Sequence, residues 1–434
     1  MQTINIKKYD KYKASGIEWI GEIPVEWDIK RLKILANIQT GNTPPKEHST
    51  NTYYSDDGML WVKPDNLSEF NPITDTKEKL NNEGLKIAKI VPPYTPLICC
   101  IGTIGKFGLS AQTVAFNQQI NAVIFNKRML SRFGLYVISC QEEQHWFYAN
   151  GNVVKILNTQ NQGQIVFPCP QITEQQQIVD YLDNKCGKID RVINTQKNII
   201  EKLKEYKQAV ITEAVTKGLD NSAKLKDSGI EWIGKIPEQW KIQKIKYTTK
   251  IMRGRFNHRP RNDPKYYDGK FPFIQTGDIT NASKYILTFS QTLNELGYSV
   301  SKEFPTGSIC MTIAANIGDV AILNFNACFP DSIVGFVPTE HVHWNFLYYI
   351  LYAMKQQFTR NAIISTQLNI NVEIIKEILI PVPSFNEQQK IANYLDKKCS
   401  EIDNAISEKE QLIEKLTEYK KSLIYECVTG KRKV

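Results

Sequence analysis

Histidine and paired cysteines are scarce in this sequence, and each shortage argues against a class of site. Only five histidines occur among 434 residues, which leaves little material for a histidine-based catalytic centre. The nine cysteines include no Cys-x-x-Cys pair, so they indicate neither a disulfide framework nor a zinc site. No other set of residues at metal-ligand spacing is evident. Unpaired thiols in this number predict a reducing compartment, and we expect the cytoplasm.

Long apolar runs are also missing. The most hydrophobic run, residues 97–104, is too short to cross a bilayer and follows three closely spaced prolines. The N-terminal stretch MQTINIKKYDKYK has no apolar core and so does not have the pattern of a signal peptide. The sequence therefore predicts a soluble protein with no membrane partner.

Motifs of the common DNA-modifying enzymes are absent or incomplete. Neither a glycine-rich cofactor loop nor an Asn/Asp-Pro-Pro-aromatic motif of a methyltransferase is present. Residues 102–106, GTIGK, resemble a phosphate-binding loop, but the spacing is short and Phe107 stands where a magnesium-binding Ser or Thr belongs, which favours a tight turn. A loose nuclease pattern at residues 64–77 has no counterpart in the second half. We predict no catalytic residue, no metal site and no cofactor in this chain.

Two stretches of the sequence occur twice. Residues 170–216 and 383–429 align without a gap and share 24 of 47 positions. A shorter segment, SGIEWIGEIPVEW at 15–27, returns as SGIEWIGKIPEQW at 228–240. Both repeats have the same offset, so the chain is a tandem duplication. Its period of about 213 residues is far longer than that of a solenoid repeat. The short tryptophan-containing segments are predicted to anchor each globular part on a helix end.

Each copy of the longer repeat is predicted to be one long helix with coiled-coil patterning. A helix of about 45 residues is about 65–70 Å long and needs a partner along its length, for which the other copy is the evident choice. The predicted apolar seam consists of Leu182, Ile189, Val192, Ile199, Leu203, Tyr206 and Val210 in the first helix, and Leu395, Ile402, Leu412, Leu416, Tyr419 and Leu423 in the second. Lys185, Gln196, Lys398 and Lys409 are polar seam positions, which either set the register at the seam edge or face another protein. A second stripe, Ile193, Ile200, Ile406 and Ile413, suggests that another protein packs beside the seam.

The remaining stretches predict an α+β fold with two globular α/β domains separated by the long helices. Short apolar strands alternate with Gly- and Asn-containing turns, then an amphipathic helix and a Thr-Gln element follow in each half, at Thr159–Gln160 and Thr366–Gln367. The predicted boundaries are 1–169 for the first domain, 170–218 for the central helix, 219–382 for the second domain and 383–434 for the C-terminal helix.

Charge suggests a polyanionic partner. The net charge is +9 and the isoelectric point is about 8.9. Nine basic residues and one acidic residue lie between 241 and 265, where the run RGRFNHRPRND indicates either a loop that binds DNA or a solvated basic loop. Arginine can bind guanine edges and asparagine or glutamine can bind adenine. The corresponding loop at 39–54 is nearly neutral, and a polar DNA contact and an ordinary surface loop are equally open there.

The candidate DNA contacts are polar residues of these loops and of the Gly-containing turns. They are Thr40, Asn42, Thr43, Lys46, Lys63, Lys106 and Gln118 in the first half, and Arg253, Arg255, Asn257, His258, Arg259, Arg261, Gln275, Thr276, Asn316, Thr366 and Gln367 in the second.

The order and duplication of these motifs resemble the specificity subunits of type I restriction–modification systems (the HsdS family). The resemblance covers nearly the whole chain. Its carriers are the repeated EQQ-x-I-x-x-YLD helix start, the repeated G-x-IP…W segment, Gly41-Asn42-Thr43-Pro44, Trp61-Val62-Lys63-Pro64-Asp65 and Asn117-Gln118-Gln119.

The resemblance implies a non-catalytic subunit whose two variable stretches recognise double-stranded DNA and whose helices form an antiparallel coiled coil. It also implies two methyltransferase subunits that carry S-adenosylmethionine, and restriction subunits that use ATP and magnesium. Because the two variable stretches differ, we expect an asymmetric target in two parts, whose separation the helix limits to roughly 20 base pairs. A stand-alone DNA-binding regulator is the main alternative. The motif search disfavours an enzyme, and the two large globular stretches disfavour a pure coiled-coil scaffold.

Overall fold

The computed structural model describes residues 7–45, 52–258, 260–314, 316–340, 342–360, 363–364 and 368–434. Contacts within the chain divide it into two compact units. Unit 1 consists of Met1–Gln196 and Gln411–Val434, and unit 2 consists of Lys197–Glu410. Each unit contains mixed sheets and one part of each long helix, so the predicted α+β tandem architecture is confirmed.

The described residues of unit 1 before the central helix form thirteen strands and five short helices. In chain order they are β1 (Tyr12–Ala14), β2 (Glu22–Pro24), β3 (Asp28–Arg31), α1 (Leu32–Leu35), β4 (Ala36–Thr40), β5 (Tyr54–Val62), β6 (Pro72–Ile73), β7 (Lys79–Leu80), α2 (Asn82–Ile87), β8 (Lys89–Val91), β9 (Pro96–Cys99), β10 (Phe107–Ser110), β11 (Val114–Phe116), β12 (Ile120–Phe125), α3 (Ser131–Ile138), α4 (Glu142–Tyr148), α5 (Thr159–Gln162) and β13 (Val166–Cys169). A 3₁₀ helix covers Pro64–Asn66. The central helix α6 (Ile172–Lys217) follows.

Two sheets form the body of unit 1. One has the strand order β4-β12-β9-β10-β6 and the other has the order β7-β5-β11-β8. Apolar side chains from both sheets, such as Leu97, Val62 and Phe116, are buried together in one core. Alternation of side chains along each strand places these residues on one face. The ends of the strands are therefore left to carry loops at the surface.

Unit 2 repeats this arrangement, and the part of it that the structure describes contains fifteen strands and five short helices between the long helices. They are β14 (Leu225–Asp227), β15 (Lys235–Pro237), β16 (Lys241–Lys244), β17 (Thr249–Arg253), β18 (Tyr267–Phe273), α7 (Thr276–Thr280), β19 (Tyr285–Ile286), β20 (Gln291–Leu293), α8 (Glu295–Ser299), β21 (Glu303–Phe304), β22 (Ile309–Thr312), β23 (Val320–Leu323), β24 (Ala327–Cys328), β25 (Ile333–Pro338), α9 (Trp344–Ala353), α10 (Lys355–Arg360), β26 (Ile363–Ile364), β27 (Leu368–Asn369), α11 (Val372–Glu377) and β28 (Leu379–Val382). Short 3₁₀ helices cover Ile245–Tyr247 and Pro264–Tyr266. The C-terminal helix α12 (Phe385–Val428) follows. The main sheets have the orders β17-β25-β22-β23-β19 and β20-β18-β24-β21, which match those of unit 1.

The two long helices run antiparallel within each unit. In unit 1, Lys420 of α12 forms an ion pair with Asp190 of α6, with 2.7 Å between Nζ and Oδ1. The equivalent ion pair of unit 2 has its lysine on α6 and its aspartate on α12: Lys207 lies 2.8 Å from Asp403. Both lysine side chains are largely buried while both carboxylates are about half exposed. Exposed ion pairs contribute little to stability, but partly buried ones of this kind restrict the helices to one register.

The observed seam agrees with the predicted seam at every second position. At the positions between, the residue in the seam is the one that follows the predicted residue. The positions of the observed seam, all of them buried or half-buried, are 182, 186, 189, 193, 196, 200, 203, 207, 210 and 214 in α6, and 395, 399, 402, 406, 409, 413, 416, 420, 423 and 427 in α12. Five predicted positions on each helix therefore lie in the seam. By contrast, Val192, Tyr206, Leu412 and Tyr419 are 38–49% exposed, Lys185 is also exposed, and Ile199 and Lys398 are half-buried beside the seam. The residues that follow the predicted ones in the sequence, several of them isoleucine or cysteine, occupy the interface between the two helices instead.

The supposed second stripe belongs to the seam itself. Ile193 and Ile200 are 8% and 6% exposed within the chain, and Ile406 and Ile413 are half-buried. Because the chain itself covers this stripe, it does not indicate a separate protein-binding surface.

The repeated short segments attach each globular part to the ends of the helices. In unit 1, Trp27 is buried and its Nε1 donates a hydrogen bond to Glu174 at the start of α6 (3.1 Å). Tyr425, near the end of α12, donates to the carbonyl of Trp19 (2.8 Å). In unit 2, Trp240 is buried in one core with residues of both helices. The anchoring role predicted for these segments agrees with these contacts.

The glutamines of the repeated EQQ sequence join helix to domain in the same way in both units. Gln175 accepts a hydrogen bond from the backbone N–H of Leu130 (2.8 Å) and donates to the carbonyl of Pro170 (2.9 Å). Gln388 accepts from the backbone N–H of His343 (2.8 Å). Both glutamines are fully buried. The motif is therefore a structural one, because an unpaired amide at this depth would destabilise the unit.

Candidate nucleic-acid interface

Three loops meet at one end of the five-stranded sheet of unit 1, and we call this surface loop edge 1. It consists of residues 41–43 after β4, residues 117–119 between β11 and β12, and residues 100–106 between β9 and β10. Backbone hydrogen bonds join them: Gly41 N–H donates to Ile120 (3.0 Å) and Cys100 N–H donates to Gln119 (2.7 Å). A Cβ at Gly41 would lie 2.3 Å from the carbonyl oxygens of Phe116 and Asn117, so only glycine permits this crossing.

The turn at residues 102–106 is a tight connection between β9 and β10. Gly102 and Gly105 have φ values of +82° and +88°, which glycine adopts without strain. Lys106 donates from Nζ to the carbonyl of Pro64 (2.7 Å). The structure therefore shows that residues 102–106 form a turn, which is the interpretation that the sequence favoured over a phosphate-binding loop.

Four further predicted contacts of the first half lie, like Lys106, on or beside loop edge 1. Thr40 donates to Asn121 Oδ1 (2.7 Å), and Asn42 donates to the carbonyl of Ile87 (3.1 Å). Thr43 and Gln118 are exposed and hydrogen-bonded to each other. Their amide and hydroxyl groups are the kinds of donor and acceptor that bind base edges. Lys46 lies outside the described residues.

Lys63 lies next to a second polar residue that the sequence did not single out. Its ammonium group forms an ion pair with Glu78 and lies 4.6 Å from the centre of the Trp61 ring. Lys63 directly precedes the 3₁₀ helix, and Glu78 directly precedes β7. A charged pair therefore lies above an aromatic ring at the surface of unit 1.

The corresponding surface of unit 2, loop edge 2, has the same backbone. It consists of residues 254–258 after β17, 329–332 between β24 and β25, and 313–314 and 316–319 between β22 and β23. Gly254 N–H donates to Ile333 (2.9 Å), and a Cβ at Gly254 would lie 2.2 Å from the carbonyl oxygen of Pro330. Gly254 and Gly41 are separated by the offset of the sequence repeat, so the close crossing of the first half is duplicated.

Two arginine side chains of the basic loop contact the turn at 329–332. Arg253 donates from Nε to the carbonyl of Asp331 (2.6 Å), and the guanidinium of Arg261 forms an ion pair with the Asp331 carboxylate. Arg255 donates to the carbonyl of Ser301 (2.9 Å). All three side chains remain exposed. Arg259 lies outside the described residues.

Other cations of the basic run make contacts within the chain. Lys244 and Lys246 lie 2.6 Å and 2.5 Å from Glu377, and together they lower the pKa of that carboxyl to about 2. Lys265 lies 3.2 Å from Asp263. These three lysines therefore lie beside carboxylates, whereas Arg253 and Arg255 donate to backbone carbonyls.

The remaining predicted residues of unit 2 are spread over several elements. Asn257 is exposed, and His258 stacks on Tyr266 with 4.1 Å between ring centres. Gln275 and Thr276 begin α7, and Asn316 is an exposed residue of loop edge 2. Thr366 and Gln367 lie outside the described residues.

The Thr-Gln elements do not mark equivalent positions. Thr159 and Gln160 open α5, which Asn158 caps. At the offset of the sequence repeat, the counterpart of Asn158 is Asn371, and it caps α11 in the same way. The equivalent feature is thus the asparagine cap rather than the Thr-Gln pair.

An open pocket of about 580 Å³ lies beside loop edge 2. Its base includes the aromatic residues Phe256, Tyr267 and Phe273, while Gln275 and Gln291 are polar members of its wall. Arg261 and Ser332 also line it. Aromatic surface with amide and guanidinium groups around it suits contact with a nucleotide.

The thiols and the buried histidine lie in apolar surroundings. All nine cysteines are unpaired, and burial raises the pKa of Cys100 to about 12 and that of Cys186 to about 11. Burial lowers the pKa of His145 to about 4. Thiols of this kind stay protonated at neutral pH and are poor nucleophiles. Within the described ranges, no group of three or more His, Cys, Asp or Glu residues could hold a metal ion.

Sequence reasoning missed Glu78, Gln291 and Asp331. Each partners a residue that was singled out: Lys63, Gln275 and Arg261, respectively. The offset of the sequence repeat, applied inside the variable stretches, provides the missing signal. It pairs Gln118 with Asp331 and Glu78 with Gln291, although the side chains differ in kind.

No helix in the described part of the chain is both long and apolar enough to cross a membrane.

Comparison with known proteins agrees with this geometry. A family described as the type I restriction modification DNA specificity domain matches residues 24–206 and 237–418. The putative type I restriction enzyme MjaX specificity subunit of Methanocaldococcus jannaschii is 24% identical over 96% of this chain and 96% of its own. The MjaVIII specificity subunit of the same organism is 23% identical over 95% and 94%.

A solved structure shows the same fold. A chain from a study of complex assembly and conformational transition of the type I R-M system superposes with a TM-score of 0.71 at 15% identity. The match covers 94% of this chain and 98% of that one. The duplicated units, the paired helices and two family matches that together cover most of the sequence lead to one conclusion. This chain belongs to the specificity subunits of type I restriction–modification systems.

Proposed function

We propose that the chain recognises an asymmetric double-stranded DNA target in two parts, with loop edge 1 binding one half-site and loop edge 2 the other. The observation that carries this proposal is that one backbone presents different polar groups in the two units. Loop edge 1 carries hydroxyl and amide groups, including Thr43 and Gln118, whereas loop edge 2 carries Arg255 and is contacted by Arg253 and Arg261. Groups of different hydrogen-bonding pattern bind different base pairs.

Gly41 and Gly254 support this proposal because they determine the path of the backbone, while the side chains next to them are left to make the DNA contacts. Gly41 and Gly254 fix the backbone crossing, and side chains on either side can vary without changing it. Positions 42 and 255, an asparagine and an arginine, follow these glycines directly. Phosphate contacts from neighbouring lysines would then position the duplex without specifying its sequence.

We further propose that the long helices bind methyltransferase subunits, which carry S-adenosylmethionine, and that restriction subunits, which use ATP and magnesium, join the complex. Support comes from apolar and aromatic side chains on the outer surface of the coil. Val192, Leu412 and Tyr419 in unit 1 and Tyr206 in unit 2 are exposed although the seam beside them is covered. Exposed apolar groups of this kind are typical of protein-binding surfaces. This chain itself would contribute no catalytic residue.

A randomised-duplex selection tests the proposal directly. The chain is incubated with a random DNA pool, alone and together with its co-purified methyltransferase subunits, and bound sequences are read. We expect a split, asymmetric motif that appears or sharpens with the partners. No sequence preference under either condition would contradict the proposal, and an equally sharp motif for the chain alone would favour a stand-alone DNA-binding regulator.

A further inference from the structure

Two glutamines that line the pocket in unit 2 are hydrogen-bonded to each other. Gln275 donates from Nε2 to Gln291 Oε1 at 2.8 Å. Gln275 directly precedes α7, and Gln291 is the first residue of β20. Their backbones are held by the fold, because Gln291 is the strand partner of Phe273 on β18. The two amides thus form a fixed pair at the surface.

Unit 1 has a chemically different pair at the same place. Lys63 N–H donates to the side chain of Asn66 three residues on (2.9 Å), just as Gln275 N–H donates to Asp278 (2.7 Å). Trp61 N–H donates to the carbonyl of Glu78 (3.2 Å), so Glu78 lies beside β5 as Gln291 lies beside β18. Lys63 and Glu78 are therefore the counterparts of the two glutamines, with an ion pair in place of the amide pair.

Aromatic residues lie behind each pair. The ring of Trp61 packs on that of Tyr54 (5.6 Å between centres), and the ring of Phe273 lies 6.2 Å from that of Tyr267. Tyr54 and Tyr267 are equivalent positions at the offset of the sequence repeat. Both units therefore place their polar pair beside two neighbouring aromatic rings, tryptophan with tyrosine in unit 1 and phenylalanine with tyrosine in unit 2.

The stability of the fold does not explain why unit 1 has an ion pair where unit 2 has a pair of amides. The side chains of Lys63 and Glu78 are 33% and 42% exposed, and pairs at such positions contribute little to folding. Gln291 is likewise exposed. A solvated position where the scaffold stays constant and the polar chemistry changes is a position suited to distinguishing ligands.

We infer that the pairs Lys63–Glu78 and Gln275–Gln291 each determine the identity of one base pair in the two half-sites, an inference that rests on the proposed function. Glutamine presents a donor and an acceptor that match N6 and N7 of adenine, so the second pair specifies an A·T pair. Lysine donates to N7 and O6 of guanine, and glutamate accepts from N4 of cytosine, so the first pair specifies a G·C pair. The internal hydrogen bond holds each pair in place before DNA arrives.

A reciprocal exchange tests the inference. In one variant Gln275→Lys is combined with Gln291→Glu, and in the other Lys63→Gln is combined with Glu78→Gln. Each is assembled with the methyltransferase subunits and put through the randomised-duplex selection. We expect one position of one half-site to change, from A·T to G·C in the first variant and from G·C to A·T in the second, with a change in preference of roughly 5- to 150-fold. The other half-site should stay unchanged in each case.

A matched control uses an exposed ion pair within the long helix α6. Lys217 and Glu213 lie 3.6 Å apart and are 51% and 67% exposed. Replacing both with glutamine should leave the whole motif unaltered.

The possible failures are distinguishable. If the unaltered chain selects a split motif and both exchanged variants select the same one, the inference is overturned while the proposed function stands. If both exchanges abolish a half-site or alter several of its positions, the pairs support the fold of the loops and do not specify a base pair. If the unaltered chain selects no motif, the proposed function itself fails.

Discussion

Single side chains hold the globular part of unit 1 to its helix, and Trp27 is the largest of them. It is 1% exposed and hydrogen-bonded to Glu174. We expect Trp27→Ala to lower the free energy of unfolding of unit 1 by about 3–5 kcal/mol, because a large buried ring leaves a cavity. Trp146→Ala, at a position 41% exposed, is the control and should cost less than about 1 kcal/mol. Urea unfolding measures both, and equal losses would exclude the anchoring role.

His145 gives unit 1 a predictable response to acid. It is 1% exposed, and burial lowers its pKa to about 4 in the folded state. The unfolded chain, with a usual histidine pKa near 6.5, takes up the proton first as the pH falls. Stability from this residue is therefore complete above about pH 6.5 and is lost towards pH 4, at about 1.4 kcal/mol per pH unit. Urea midpoints at pH 7, 6 and 5 should fall more steeply for the unaltered chain than for His145→Gln. Parallel curves would contradict this assignment.

At the scale of the helix, the register of the seam is open to direct test. Ile193 is buried between the helices while the adjacent Val192 is 44% exposed. Ile193→Ala should destabilise unit 1 by about 2–4 kcal/mol, whereas Val192→Ala should change its stability by less than about 1 kcal/mol. Thermal unfolding of the two variants decides between the registers. A larger loss for Val192→Ala would restore the seam expected from the sequence.

The sequence predicted the elements well and the seam only in part. Duplication at one offset, long helices and mixed sheets all follow from repeats and periodicity, because those patterns are local. The position of the seam was ambiguous because Leu182 and Ile189 fit both the predicted and the observed series of seam positions. The choice between Val192 and Ile193 depends on how two helices meet. A lysine in the seam, Lys207, also obscured the pattern, since only the structure shows its partner Asp403.

The sequence predicted those parts of the candidate interface that depend on the backbone or on single residues. It did not predict those that depend on a contact between two side chains. Gly41 and the arginines of the basic loop could be singled out from the sequence. The repeat offset relates Glu78 to Gln291, but their contacts could not be predicted, because each contact is with a residue that is distant in the sequence. Pairing between distant residues is a property of the folded sheet.

At the scale of the whole molecule, the proposed function makes helix length a determinant of the DNA spacer. Seven residues inserted after Gln196 in α6 and seven before Gln411 in α12 would preserve the heptad pattern and add about 10.5 Å. We expect the preferred spacer of the selected motif to lengthen by about three base pairs at about 3.4 Å per pair. Each half-site should keep its sequence. Weaker binding without any change of spacing would argue against this role of the helices.

The discontinuity of unit 1 determines the order in which the chain can fold during synthesis. Unit 2 is one continuous segment, but unit 1 needs Gln411–Val434, whose residues Leu423 and Ile424 pack against Ile178 and Leu182 of α6. At roughly 5–20 residues per second, a ribosome reaches that segment only about 10–50 s after Gln196. The first part to be made is thus the last to be completed. A ribosome-bound chain arrested after Glu410 should show a protease-resistant unit 2 and a protease-sensitive unit 1.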